Sequence, residues 1–282
     1  MALPLLPRLR AGAGRDLTVS VDGLPQTGRH ILQELGFSAR RSGDELHGIV
    51  SVTPQMHVPG TAQLRTSILA TWADTLGGLL AAHAIGPRVP VALELDVHLF
   101  GPAPGSGTVL GVGRAIKAGR TVFVAGVDFA TETGEPVATA AMSFVSAPDP
   151  AARLPARLSV DLPPAPEAWR LRVPLAERAG CERRAPGVAA LPRSEDGLNS
   201  SNSVNGGLIA LAAEEAVLSL VPGDALCSLG LRYLQAVRAG PVVATARVHR
   251  GLGQVELRDS GHGDRLSVIA TARTFRRSSN PN

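Results

Sequence analysis

The feature that most constrains this chain is an internal repeat. The segment Leu95–Val145 opens on an alternating run, LDVHLF. It continues through Gly107, a second run GTVLGVGRAI, a glycine-bearing turn, and two further runs ending in VATAAMSFV. The segment Leu229–Phe275 follows the same plan, with Gly240, the run GPVVATARVH and a close in SVIATARTF. The offset is 133 residues at the two glycines and 131 at the closing Phe144 and Phe275. A spacing that nearly holds across four strand-like runs argues for duplication. Alternation at period two predicts strands with one covered face.

One long apolar helix is expected before each strand set, from about Ala62 to Ala84 and from about Val204 to Leu220. Each is apolar over most of its circumference, as a helix enclosed by a sheet must be. A strand-like run precedes each helix, at Glu45–Pro54 and Glu182–Pro192, with a short amphipathic segment before it at Gly28–Gly36 and Pro174–Gly180. The expected order per half is short helix, strand, long helix, four strands. The boundaries read as a poorly ordered segment 1–22, a first unit 23–147, a proline-rich connector 148–167, a second unit 168–277 and a tail 278–282.

Composition narrows the function classes. Hydrophobic residues make up 44% of the chain and aromatic residues only 3%, so the core must be aliphatic. All but one of the 28 basic residues are arginine, the exception being Lys117. No dense basic run occurs and aromatics are too few to stack bases, which disfavours nucleic acid as a partner. Two cysteines, Cys181 and Cys227, make neither a disulfide scaffold nor a zinc site. No run of about 18 uncharged apolar residues is present, so no membrane-spanning helix is expected, and a cytoplasmic location follows as the default. The sequence lacks a nucleophile elbow, a phosphate loop and a dinucleotide fingerprint followed by an acid. Metal-ligand clusters are likewise missing, and no cofactor is expected.

The element order resembles the hotdog fold, in which an antiparallel sheet wraps a central helix. The resemblance covers most of Gly28–Phe144 and Pro174–Phe275. It implies an α+β double hotdog, two antiparallel sheets joined into one continuous sheet. It is most specific at the starts of the long helices. Hotdog thioesterases of the phenylacetate-pathway type carry a His-Gly-Gly turn there and an acidic residue nine positions after the His. Here the second half reads Asn205-Gly206-Gly207, with Glu214 nine positions on. The first half reads Arg65-Thr66-Ser67, with Asp74 nine positions on. Both halves depart from the pattern: Arg65 or Asn205 stands for the His, and the first half has lost the glycines.

Nine helical residues advance about 13.5 Å and turn through about 900°, so neither acid can meet the start of its own helix. The resemblance implies that the other half supplies it, pairing Asp74 with Asn205-Gly206-Gly207 and Glu214 with Arg65-Thr66-Ser67. A helix N-terminus offers unpaired N–H groups and a positive dipole end, which can hold a developing oxyanion. Glycines let a substrate approach the backbone closely. The carboxylate would act either as a general base or as a nucleophile. Arg65, Thr66 and Ser67 are candidate substrate contacts, and Arg65 either pairs with Glu214 or binds a phosphate. Coenzyme A carries phosphates, so Lys117 and Arg120 in the turn between the second and third repeat strands are candidates at the mouth, along with Arg247 and Arg250. The implied activity is hydrolysis of an acyl-CoA or other acyl thioester. The alternatives are a non-catalytic acyl-CoA binding module and an acyl-thioester dehydratase, the latter ranked last because none of the seven His is well placed; His57, three residues before Gly60, is the one nearest the expected mouth and reads as structural or solvent-facing. Assembly into a homodimer or higher homo-oligomer is left open.

Overall fold

The run Glu45–Ser51 buries Leu46, Gly48 and Val50 and leaves Ile49 and Ser51 exposed, the alternation of a sheet with one covered face. The computed structural model that shows this describes residues 30–154 and 159–276. A short helix α1 (Ile31–Glu34) leads into strands β1 (Ser38–Ser42) and β2 (Glu45–Ser51), then the long helix α2 (Thr66–Ile85). Four strands follow: β3 (Pro90–Leu99), β4 (Thr108–Ala118), β5 (Phe123–Thr131) and β6 (Pro136–Ser146). The second series repeats the order. It runs α3 (Leu175–Arg178), β7 (Glu182–Ala185), β8 (Val188–Leu191), α4 (Gly206–Leu220), β9 (Asp224–Tyr233), β10 (Val242–His249), β11 (Leu252–Asp259) and β12 (Arg265–Arg276).

All these strands join one antiparallel sheet. From one edge the order is β1-β2-β4-β5-β6-β3, and from the other it is β7-β8-β10-β11-β12-β9. The two series meet where β3 pairs with β9, from Glu94 opposite Arg232 to His98 opposite Ser228. Helix α2 packs against β3 to β6, and α4 against β8, β10 and β11. One continuous apolar core joins both helices to the inner face of the sheet.

The expected single strand before each long helix is in fact a hairpin. Ser38–Ser42 went unread because only Ala39 in it is buried, so the run carries no period. The run Glu182–Pro192 is broken at Pro186-Gly187, where Gly187 takes φ 78°. Both helices also start later than expected, at Thr66 and Gly206, because the residues before them are held in an isolated bridge, His57 to Leu64 in one case and Leu198 to Val204 in the other.

The connector docks in two places: Arg153 bridges to Arg88, and Leu162 exchanges two backbone hydrogen bonds with Ala39, of 2.9 and 2.8 Å. The latter pair covers part of the otherwise open edge of β1. Expectations for residues 1–22 and 278–282 lie outside the described residues. Helix α2, with 20 residues and a mean hydropathy of 1.3, is long and apolar enough to cross a membrane by length and composition. In this fold it lies within the curve of the sheet, 61% buried.

Candidate active site

On α4 every residue from Gly207 to Leu218 is buried, including Glu214 and Glu215. Two carboxylates on such a helix demand partners. The start of α2 supplies them. Glu214 Oε1 accepts from the Thr66 N–H at 3.0 Å and the Ser67 N–H at 3.4 Å. Its Oε2 accepts from the Ser67 hydroxyl at 2.6 Å and from Arg65 Nη1 at 3.2 Å. Arg65 also pairs with Glu215 at 2.6 Å, and Arg183 pairs with Glu215 at 2.6 Å. Two cations and two anions thus balance one another. Burial pulls the Arg65 pKa down, but the charges of Glu214 and Glu215 outweigh it and hold the guanidinium above its ordinary value. At this end of the helix pair Arg65 pairs with the glutamate, and the amides of Thr66 and Ser67 are already occupied by its carboxylate.

The other end differs. The start of α4 lies against the middle of α2, so the two helices run antiparallel. A Cβ built on Gly206 would stand 2.9 Å from Tyr233 Oη and 3.4 Å from Asp74 Oδ2, and one on Gly207 would collide with Thr71. Asn205 caps its own helix, its Oδ1 accepting from the Gly207 N–H at 2.8 Å. The Gly206 N–H, in the first turn and beyond reach of a helical acceptor, has no partner among the described residues.

Asp74 lies deep in the protein yet keeps an accessible face. Burial pushes its carboxyl up to about 6. No cation pairs with it among the described residues. Tyr233 closes the same space. Its hydroxyl donates to the Gly206 carbonyl at 3.3 Å, and burial, then the negative charge of Asp74, pushes its phenol well above the ordinary tyrosine range. Sequence reasoning missed Tyr233, although it is the single tyrosine of the chain.

The remaining candidates are placed by register. Lys117 is opposite Val124, Phe123 opposite Phe144, Phe144 opposite Ala92, and Glu94 opposite Arg232. The exposed turn carrying Lys117 and Arg120 therefore lies at the end of the sheet where β9 finishes at Tyr233. Arg250 lies in the turn away from that end, beside Leu252, which is level with Arg273 and so with Ser228 in β9, whereas Arg247 is opposite Gln254 and level with Gly230 at mid-sheet. His57 is engaged by its Nε2 with the Gly105 carbonyl at 2.8 Å, near the start of α2. A surface pocket of about 380 Å³ lined by residues such as Arg184, Arg193 and Gly240 shares no residue with the Asp74 cluster.

A long antiparallel sheet curved around apolar helices, with a carboxylate brought to a helix start, defines a hotdog-like α+β fold. Comparison with known proteins agrees. Residues 67–138 match the family model of the thioesterase superfamily, from the first turn of α2 into β6. A 12:0-ACP thioesterase from Umbellularia californica superposes with a TM-score of 0.61 at 12% identity, covering 84% of this chain and 100% of that one. An acyl-ACP thioesterase from Bacteroides thetaiotaomicron gives 0.59 at 13%, covering 82% and 98%. The tesB protein of Mycobacterium avium subs paratuberculosis gives 0.57 at 16%, covering 87% and 98%. At these identities the likeness is one of fold. No curated protein matches the sequence.

Proposed function

We propose that the chain is a tandem of two hotdog units that hydrolyses an acyl thioester, with acyl-CoA as substrate, at one composite site formed by Asp74 and the Asn205-Gly206-Gly207 turn. The observation that carries this reading is the carboxylate of Asp74, raised to about 6 and set against Gly206 at the start of α4, where a Cβ would stand 3.4 Å from its Oδ2. A base poised near the working pH is suited to moving a proton. The match to the thioesterase superfamily and the fold shared with acyl-ACP thioesterases support thioester chemistry in general.

In this reading water adds to the thioester carbonyl carbon while its proton passes to Asp74. The carbonyl electron pair moves onto oxygen, which accepts from the Gly206 N–H. Collapse breaks the carbon–sulfur bond, and the leaving thiolate takes the proton back from Asp74, giving a carboxylic acid and a thiol. The end where Glu214 fills the amides of Thr66 and Ser67 has no room for a carbonyl and turns nothing over.

A thiol-release assay over saturated acyl-CoAs, from acetyl to palmitoyl, tests the proposal. Release above the buffer rate with at least one of them is expected. Release from none, with folded protein, would sink the reading.

The Lys117–Arg120 turn is proposed to meet the phosphates of coenzyme A, since it lies at the working end of the sheet. Reversing both charges, Lys117→Glu with Arg120→Glu, is expected to raise KM several-fold, on the order of 3- to 10-fold, and to leave kcat nearly unchanged. Steady-state kinetics at low and high salt check this. An unchanged KM removes the turn from the binding surface.

A further inference from the structure

We infer that the Tyr233 hydroxyl is a second hydrogen-bond donor to the reacting carbonyl, acting beside the Gly206 N–H. This rests on the Asp74 site being the working one. Tyr233 Oη and Asp74 Oδ2 both close on the bare Cα of Gly206, where a Cβ would stand only 2.9 Å and 3.4 Å from them. A donor and a base thus converge on Gly206, whose backbone N–H has no partner among the described residues. Tyr233 and Asp74 are both deep in the fold, and both keep accessible surface.

The present partner of the hydroxyl does not hold it firmly. Its bond to the Gly206 carbonyl is 3.3 Å long, beyond the ordinary range for a hydroxyl donor. That carbonyl also faces the N–H ladder of α4. A developing oxyanion is the stronger acceptor, and the hydroxyl reaches it by rotation about its own C–O bond.

The comparison of the two ends of the helix pair is a second, independent observation. Strands β3 and β9 are each ten residues long and hold matching places in the mirrored sheet. Tyr233 is the last residue of β9, and the last residue of β3 is Leu99. The hydroxyl therefore belongs to the end with the glycine turn, whereas the end filled by Glu214 has an aliphatic side chain at the matching position. A role confined to packing would be served as well by an apolar residue at both.

In the proposed step the water oxygen bonds to the carbonyl carbon and its proton goes to Asp74. The carbonyl oxygen takes the electron pair and accepts from both Gly206 N–H and Tyr233 O–H. Tyr233 keeps its proton throughout. When the tetrahedral species collapses, the carbon–sulfur bond breaks, the thiolate recovers the proton from Asp74, and the two hydrogen bonds weaken.

Tyr233→Phe, assayed with dodecanoyl-CoA or whichever saturated acyl-CoA of the panel turns over fastest, should lower kcat about 10²-fold and change KM by less than about threefold. Unchanged kcat, or a loss carried by KM alone, overturns the inference. Asp74→Asn in the same assay separates the two levels. If it stays active, the reading of the site fails. If it is inactive while Tyr233→Phe turns over like wild type, only the tyrosine assignment fails. No turnover by wild type on any substrate overturns both. An alkaline absorbance titration needs no turnover, because Tyr233 is the single tyrosine. Its ionisation should move to lower pH in Asp74→Asn, as the neighbouring charge is removed. An unmoved midpoint would show that the two groups do not face each other across Gly206, which overturns the inference even should the Phe variant fold poorly.

Discussion

Asp74→Asn is expected to lower kcat by about 10²–10⁴-fold, the usual loss when a general base is removed, and to stabilise the protein at neutral pH. The second effect follows from the burial of the carboxyl. Burial raises the Asp74 pKa from 3.8 to about 6, so the folded state binds the proton more tightly than the unfolded chain does. For an acid shifted this way stability is greatest below its ordinary pKa. It falls as the pH climbs from 3.8 to about 6, and above that a constant penalty remains. At about 1.4 kcal/mol per pH unit the penalty is on the order of 2–3 kcal/mol, and less where water reaches the exposed face. Asparagine carries no charge and escapes it. The thermal midpoint of Asp74→Asn should therefore exceed that of wild type at pH 7.5, and the gap should close below about pH 4. The kcat/KM of wild type should rise with pH and level off above about 6, as the base loses its proton. A variant that keeps turnover, or one less stable than wild type at pH 7.5, contradicts this account.

Arg65→Met should be the most destabilising single change in the helix pair, at about 3–5 kcal/mol. Arg65 and Glu214 are fully buried, and Glu215 is nearly so. Methionine fills much of the same volume but leaves two buried carboxylates with only Arg183 to balance them. Arg183 touches Glu215 and is itself about one-third exposed. The comparison is Arg232→Met. Arg232 makes two bonds to Asp96, both of 2.9 Å, but its side chain is 45% exposed. That change should cost no more than about 1 kcal/mol. Denaturant unfolding at pH 7.5 measures both. Equal losses for the two variants would mean that burial does not decide the strength of the Arg65 network.

How far the sequence led is clearest at individual residues. Asp74 and the Asn205-Gly206-Gly207 turn were legible because an acid on an apolar helix and two glycines at a helix start are local departures from a periodic background. The spacing of nine residues showed that each acid needs a second helix. The choice for Arg65 between a phosphate and Glu214 stayed open, because it depends on how two helices pack across 149 residues of sequence separation. Tyr233 was invisible for a related reason. It ends a strand 27 residues after Gly206, and only the sheet's curvature returns it to the helix start. The strand Ser38–Ser42 gave no signal because an exposed edge strand with one buried residue has no alternation to read.

The mirrored sheet is made by one polypeptide, and this bears on how such a protein can change over generations. In a pair of identical subunits each mutation is made twice, so an arginine that fills one helix start fills both and ends activity. Here the two starts, residues 65–67 and 205–207, are separate stretches of the same chain and vary independently. One pole of the molecule has settled into a neutral knot of charges. The other retains an uncompensated acid at a cost in folding free energy. On the proposed function, a stoichiometry of one acyl group per polypeptide, rather than two, is expected from that division of labour.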